Sequence, residues 1–184
     1  MKWKNILLVL ALWVVAGACE KKEIPMFTTD DAGIYFQRVT SYIYGSTTEN
    51  YGDSVAYSFV SAQATAKSVV LSATVRTMGK VADYDRPFKV VVDQEGTTAI
   101  EGKHYEVNLD TVVVPAGAST AYVRVRFFRT SDMMEKTIRL ALRLEENEYF
   151  KCYFPEYKNT NAYSATGALI HGDVFAFSLS EMYT

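Results

Sequence analysis

Residues 121–127, Ala-Tyr-Val-Arg-Val-Arg-Phe, decide the fold class of this chain. The odd-numbered side chains are apolar, and the even-numbered ones are a tyrosine and two arginines. Successive side chains of a β-strand point to opposite faces of its sheet, so the segment predicts one dry face and one wet face. This alternation is typical of a strand in an antiparallel sheet that covers a core on one side only.

Two further segments repeat the pattern. Residues 69–76 place Val69, Leu71, Ala73 and Val75 on one face. In residues 137–144 the aliphatic face consists of Ile138, Leu140, Leu142 and Leu144. The opposite face, which we expect to meet water, consists of Thr137, Arg139, Ala141 and Arg143.

Shorter apolar runs predict additional strands between glycine- and proline-containing turns. Pro115-Ala116-Gly117 is such a turn, because proline presets φ and glycine tolerates a positive φ. Seven or eight short strands with turn signals between them favour a β-sandwich or barrel over a helical fold. The runs lie at residues 34–38, 54–60, 88–93, 111–114 and 168–177.

The composition agrees with a single globular domain. Of 184 residues, 49% are hydrophobic and 22% are charged, which separates the chain from disordered sequences. The formal net charge is −2, whereas binding to phosphate backbones needs a clustered basic surface. We therefore expect no nucleic acid partner.

The first 18 residues have the pattern of an export signal. Lys2 and Lys4 supply a positive start, residues 6–15 are uninterruptedly apolar, and residues 16–18 are Ala-Gly-Ala. The apolar run is shorter than the roughly 20 residues that a membrane-spanning helix needs. We expect residues 1–18 to be a signal peptide.

Cys19 follows these small residues directly. Ala-Gly-Ala-Cys resembles a lipobox, in which the cysteine is acylated, although Ala16 stands where leucine is usual. Residues 19–30 would then be the lipidated cysteine and a flexible tether, and residues 31–184 the β-sandwich domain. The charged run at 20–23 resembles the surface-export signal of Bacteroidota-type lipoproteins. Because the run contains both acidic and basic residues, the protein is expected at the outer membrane, either on the cell surface or on the periplasmic face. The expected partner is a membrane, reached through the lipid on Cys19.

Two stretches in the middle of the chain suggest a fold family. Residues 97–105 run Thr-Thr-Ala-Ile-Glu-Gly-Lys-His-Tyr, and residues 112–117 run Val-Val-Val-Pro-Ala-Gly. With the acidic turn at 132–135 and the apolar strand at 138–144, they resemble a Calx-beta-type repeat. The resemblance implies an all-β fold: an immunoglobulin-like, Calx-beta-like antiparallel β-sandwich of about seven to eight strands.

The arrangement as a whole is similar to a family of lipoproteins of unknown function that are encoded beside glycan-import systems of gut bacteria. The match rests on the lipid cysteine, on Ile34-Tyr35-Phe36, and on Ala-Asp-Tyr-Asp-Arg-Pro at residues 82–87 before a valine-rich strand. Members commonly continue beyond a final strand, so the C-terminal part of the domain is expected to be short or incomplete. This resemblance implies an accessory role in glycan capture or uptake.

Calx-beta domains can bind Ca²⁺ through clustered loop carboxylates, which are hard oxygen ligands. In this chain His104 stands where that family has the aspartate of an Asp-Tyr pair, and Asp132 and Glu135 remain in the acidic turn. Ordinary turn chemistry, in which carboxylates accept backbone N–H groups, is the favoured interpretation. We expect no metal and no cofactor. Further ligands, if their loops converged, would be Asp83, Asp85 and Asp93.

The candidate catalytic residues of this sequence are better explained by structural roles. A nucleophilic Cys152 would need a neighbouring base, and the chain has only His104 and His171. For His104-Tyr105, a buried tyrosine whose hydroxyl caps a strand is favoured over a catalytic pair. The crowded glutamates at 145, 146 and 148 predict a solvated turn, because glycoside hydrolysis needs carboxyls that face each other across a cleft. We expect no catalytic residue and no enzyme.

Tyrosines in polar loop regions are the best functional lead. Rigid amphipathic rings suit stacking on sugars or contact with proteins, although packing over the ends of the sandwich would explain them too. The sequence predicts a non-catalytic accessory module that contacts polysaccharide or an outer-membrane transporter complex. The alternative is a structural or adhesive protein that adds a strand to a partner's sheet. The candidate ligand-binding residues are Tyr42, Tyr44, Tyr51, Tyr153 and Tyr157.

Overall fold

The computed structural model describes residues 32–42, 49–158 and 169–182. The expected signal peptide, Cys19 and the expected tether lie outside these residues. No helix in the described part of the chain is long and apolar enough to cross a bilayer. Short 3-10 helices occupy Phe59–Ser61 and Ser131–Met134. The strands are β1 (Gly33–Phe36), β2 (Val39–Tyr42), β3 (Glu49–Gly52), β4 (Ser54–Ser58), β5 (Ser68–Met78), β6 (Arg86–Pro87), β7 (Lys89–Val92), β8 (Tyr105–Glu106), β9 (Val113–Val114), β10 (Thr120–Phe128), β11 (Ile138–Glu145), β12 (Tyr157–Lys158), β13 (Leu169–Ile170) and β14 (Val174–Ser180).

Two four-stranded sheets form the sandwich, so the all-β prediction is confirmed. The first sheet has the order β1-β5-β10-β8, and all its pairs are antiparallel. The second has the order β4-β14-β11-β7. Its β4 runs parallel to β14, so this sheet is mixed rather than purely antiparallel. Within the described residues, three two-stranded ribbons complete the fold: β2-β3, β6-β9 and β12-β13.

The apolar side chains of β10 point into the core, as its alternating sequence predicts. Ala121, Val123, Val125 and Phe127 are at most 4% exposed, and the residues between them face outward. The ring of Phe127 meets that of Phe177 in β14, with 5.2 Å between their centroids, so the two sheets pack face to face. Met133 closes one end of this core from a 3-10 helix. Side chains of both sheets thus form one apolar layer.

One residue of β11 departs from the prediction. Ala141 was expected to face water, but it is only 1% exposed. The loop after β7 folds over it: the Ala141 N–H donates to Thr97 Oγ1 at 2.9 Å. A Cβ on Gly96 would lie 2.9 Å from the Ala141 Cβ, so the cover is close. Alternation along a strand shows which side chains point away from the core. It cannot show that a loop distant in sequence covers one of them.

The run at 168–177 was predicted as one strand and forms two. Between β13 and β14 the chain passes Phe154 so closely that a Cβ on Gly172 would lie 2.6 Å from the Phe154 carbonyl oxygen. The Gly172 N–H donates to that same oxygen at 2.9 Å. Only a residue without a side chain fits this approach. The run at 54–60 ends at Ser58, whose hydroxyl accepts the Val60 N–H and starts a 3-10 turn.

Backbone contacts cover the outer edge of β1. The Ile34 N–H donates to the Lys151 carbonyl at 3.0 Å, and the Phe36 N–H donates to the Gly172 carbonyl at 2.7 Å. These bonds occupy groups that an added strand would need. β14, the last described strand, lies between β4 and β11, so it does not form the exposed edge that strand addition would use.

We expect Phe177→Ala to lower the free energy of unfolding by about 3–5 kcal/mol, because truncating a buried ring leaves a cavity between the sheets. Phe177 is 0% exposed. Val70→Thr, at a position 54% exposed on β5, should change stability by less than about 0.5 kcal/mol. Urea denaturation followed by circular dichroism measures both. Equal losses in the two variants would contradict the assigned core.

Candidate functional site

A groove of about 490 Å³ opens at the end of the sandwich where β5 and β11 terminate. Pockets of this size accommodate small ligands or parts of a polymer. One wall comes from the segment between β5 and β6, and the other from the turn after β11. The lining residues are Ala32, Lys80, Val81, Ala82, Asp83, Tyr84, Arg86, Glu148 and Tyr149.

The Pro115-Ala116-Gly117 turn positions the first wall. The Gly117 N–H donates to the Ala82 carbonyl at 2.8 Å, and the Ala116 N–H donates to Asp85 Oδ1 at 2.8 Å. Gly117 has φ +73°, which glycine adopts without strain. The turn predicted from sequence therefore holds the groove segment at two points.

Asn147 positions the second wall and joins it to the first. Its Oδ1 accepts the N–H groups of Tyr149 at 3.0 Å and Phe150 at 2.9 Å. Its Nδ2 donates to the Pro87 carbonyl at 2.8 Å. One amide side chain thus fixes the tyrosine-bearing turn relative to the strand that carries Arg86.

Two tyrosines give the groove an aromatic surface. Tyr84 is 55% exposed, and its ring centroid lies 6.4 Å from that of the half-buried Tyr149 at an interplanar angle of 56°. Rings in such a tilted pair support each other while leaving a face open to a ligand. The exposed side chains of Lys80, Asp83 and Glu148 surround them with donors and acceptors. This surface suits a ligand with both apolar faces and hydroxyl groups.

Arg86 is the unusual member of the lining. It is only 4% exposed, and its Cζ lies 4.8 Å from the centroid of the buried Phe150 ring. Both Nε and Nη2 are buried without a hydrogen-bond partner among the described residues. A buried donor without an acceptor is costly, and more so when it carries charge.

Of the five tyrosines predicted from sequence, Tyr153 alone has a described side chain, and it is not among the residues that line the groove. Tyr153 is 42% exposed and lies beside Gly33, which follows the lining residue Ala32. Tyr42, Tyr51 and Tyr157 belong to β2, β3 and β12, but their side chains are outside the described part of the structure, as is Tyr44 altogether. A ligand-binding role for these residues stays a prediction. Tyr84 was missed because its polar, acidic neighbours suggested only a turn.

His104 serves the structure at the opposite end of the sandwich. It is 2% exposed, and its Nδ1 accepts the Ile100 N–H at 2.8 Å. That bond leaves Nε2 to donate to Asp132 Oδ2 at 3.1 Å. Tyr105, its sequence neighbour, points into the core, where burial and then Glu101 raise the pKa of its hydroxyl. His104 and Tyr105 are thus both buried in the fold and, within the described structure, do not line a cleft.

Asp132, which was considered as a Ca²⁺ ligand, forms an ion pair with Lys103. Lys103 Nζ lies 2.7 Å and His104 Nε2 lies 3.1 Å from Asp132 Oδ2, and the bond from Lys103, with a smaller effect of His104, holds the pKa of Asp132 well below its usual range. Within the described residues, no group of three or more histidine, cysteine or acidic side chains converges to hold a metal. Asp132 Oδ2 is therefore already bonded to Lys103 and to His104.

The remaining candidate groups have structural partners. Burial, followed by Asp173 and Glu146, raises the pKa of the Cys152 thiol to about 11, so little thiolate exists at neutral pH. His171 Nδ1 lies 3.0 Å from the Pro155 carbonyl oxygen. Glu145 pairs with Lys89, and Glu146 pairs with Lys151.

Residues 30–166, well over half of the chain, match a family model described as a domain of unknown function, DUF4843. The chain belongs to this family. The match of the DUF4843 model ends before β14, a central strand of the second sheet. The Calx-beta resemblance stays a prediction.

Other comparisons add a structural likeness. No curated protein matches the sequence. The fold is similar to the crystal structure of a protein from Bacteroides ovatus ATCC 8483, provisionally described as carbohydrate-binding, with a TM-score of 0.47 and 8% sequence identity. The likeness covers 82% of this chain and 37% of that one, so this DUF4843 chain spans well under two thirds of the similar protein.

The lowered pKa of Asp132 predicts how Asp132→Asn responds to pH. Ionised Asp132 stabilises the fold fully above its unfolded pKa of about 3.9, and this contribution is lost as pH falls through the lower folded value. We expect the variant to be less stable than wild type at pH 7 and the difference to shrink steadily below about pH 4. Urea midpoints from pH 7 to pH 2 measure it.

Asp110→Asn is the matched control, since the side chain of Asp110 is exposed and forms no ion pair within the described chain. It should stay close to wild type across the same range. If the Asp132→Asn deficit were independent of pH, the bonds from Lys103 and His104 would not be the cause.

Proposed function

We propose that this chain is a cell-envelope lipoprotein that acts as a non-catalytic glycan-binding accessory module. The groove at the end of the sandwich is its binding site. A sugar ring would stack on the open face of Tyr84, and its hydroxyls would bond to the polar side chains of the rim. The tilted pair of Tyr84 and Tyr149 within a polar groove is the observation that carries this proposal.

Rigid walls support binding in this groove. Asn147 and the turn at 115–117 hold both walls through hydrogen bonds of 2.8–3.0 Å, most of which join a side chain to the backbone. A site that is already ordered loses less conformational freedom when a ligand enters. The site is therefore suited to capture with little rearrangement of the backbone.

The envelope location rests on the N-terminal sequence. The apolar signal at residues 1–18 and the Ala-Gly-Ala-Cys run support export and acylation of Cys19. A tethered module at the outer membrane would raise the local concentration of glycan beside a transporter complex. The similarity to lipoproteins that accompany glycan importers supports the same role.

Asp83 and Glu148 both line the groove, so hydrolysis is the alternative to test. We assign these exposed carboxylates as acceptors for sugar hydroxyls. Polysaccharide incubated with the protein should release no new reducing ends. Release that Asp83→Asn or Glu148→Gln abolishes would replace the binding role with a glycosidase.

We expect Tyr84→Ala and Tyr149→Ala each to weaken polysaccharide binding by about three- to tenfold, because each removes ring contact worth about 1 kcal/mol. Retardation of the full chain, in detergent, on affinity gels that contain a panel of polysaccharides measures this. Tyr122→Ala, which removes a ring 52% exposed on the outer face of β10, is the control and should bind as wild type does. No retardation by any polysaccharide would overturn direct glycan binding.

We expect Cys19→Ser to abolish incorporation of labelled palmitate and to release the protein from the membrane fraction, because no acceptor for the lipid remains. Cys152→Ser should keep both, since the partly buried Cys152 thiol is remote from the signal in sequence. Labelling in cells and fractionation measure both variants. Unchanged attachment of Cys19→Ser would exclude the lipid anchor.

A further inference from the structure

Arg86 lies at an inward-facing position of a segment whose other inward-facing residues are apolar. Along residues 86–90, Arg86, Phe88 and Val90 are each at most 5% exposed, while Pro87 and Lys89 are exposed. This segment, which spans β6 and the start of β7, therefore directs a guanidinium to the side where its neighbours place core residues. In most proteins a charge at such a position has a carboxylate partner.

No such partner faces Arg86 in the described residues. The ion pairs of the groove region involve other basic groups, such as Lys151 with Glu146. Asp85, which precedes Arg86, uses its carboxylate to accept the Ala116 N–H. The Phe150 ring covers a face of the guanidinium but cannot accept its in-plane N–H groups as an oxygen would.

We propose that Arg86 binds the carboxylate of an acidic sugar, so that the ligand of the groove is a uronate-containing glycan. This inference rests on the proposed glycan-binding function and specifies its ligand class. The guanidinium presents parallel donors that match the two oxygens of a carboxylate, and the orphaned Nε and Nη2 are such a pair. The pyranose ring of the same residue would then lie against Tyr84.

The acidic residues of the rim do not cancel this preference. Asp83 and Glu148 are exposed, where water and salt screen their charges strongly. Arg86 is 4% exposed, and its field acts through a less polar medium. Lys80 on the rim adds a second positive charge. The buried guanidinium therefore dominates the interaction with an anion that reaches the floor of the groove.

Access requires a movement of the rim, because Nε and Nη2 are both shielded from solvent. Lys80, Tyr84 and Glu148 carry exposed side chains on this rim, and a change in their rotamers is the movement that binding would require. The backbone of the wall that carries Tyr84 stays fixed by the bonds from Ala116 and Gly117. Uronate binding should therefore change the environment of the Arg86 Nε–H without unfolding the loop.

The test compares each acid with its own neutral ester. Oligosaccharides of galacturonate, glucuronate and mannuronate, and their methyl esters, are titrated into the full chain in detergent by calorimetry. We expect at least one acid to bind about tenfold or more tightly than its ester, as is typical for a charged hydrogen-bonded pair. Arg86→Met should remove that difference, and Arg86→Lys should retain part of it.

Arginine Nε–H resonances in ¹⁵N spectra give a second readout on the unmodified protein. The Arg86 signal, assigned by its loss in Arg86→Lys, should shift with the acid and not with the ester. This measurement decides the matter even if Arg86→Met fails to fold. Lys89→Met, at the exposed position of the neighbouring strand, is the matched control and should keep the discrimination between acid and ester.

The outcomes separate the two proposals. Equal binding of acids and esters, with no shift at Arg86, would overturn the uronate inference and leave glycan binding intact. Binding of no sugar in any form would overturn both. A shift of the Arg86 signal by a hexaglutamate peptide but by none of the uronates would replace the sugar with an acidic protein partner.

Discussion

The contact between the inner faces of the two sheets determines where every other part of this molecule can lie. Phe127 of β10 and Phe177 of β14 meet across this contact, with their ring centroids 5.2 Å apart. With the sheets packed face to face, the segments that follow β5 and β11 line one groove at the same end of the sandwich. The 3-10 helix with Met133 and the His104–Asp132 bond lie at the other end. The position of the groove thus follows from the packing of the core.

Much of this fold follows from local sequence. The alternation in β5, β10 and β11 identifies strands and their inward faces because burial on one side imposes a period of two. What a local pattern cannot show is contact between distant segments. Ala141 is covered by the loop at 94–99, and Gly172 is constrained by the carbonyl of Phe154. Both effects depend on residues far away along the chain.

The candidate site was less accessible to sequence reasoning for the same reason. Its walls depend on side-chain to backbone bonds that join separate segments, above all those of Asn147 to Pro87 and to Tyr149. A role for loop tyrosines stays a prediction, and the tyrosines that the fold brings together in the groove are Tyr84 and Tyr149. One signal was present and not used: Arg86 shares the phase of Phe88 and Val90. A charge in phase with core residues marks a site where the fold accepts a cost for another purpose.

The match to the family model ends before the last strand of the β-sandwich. Family similarity ends at residue 166, whereas β14 at Val174–Ser180 lies between β4 and β11 and supplies Phe175, Phe177 and Leu179 to the core. A recombinant product trimmed to the conserved boundary would lack the middle of one sheet. It would expose two unsatisfied strand edges and an open apolar face, which is the usual starting point for aggregation. Proteolysis or gene truncation at that boundary would therefore destroy the module rather than shorten it.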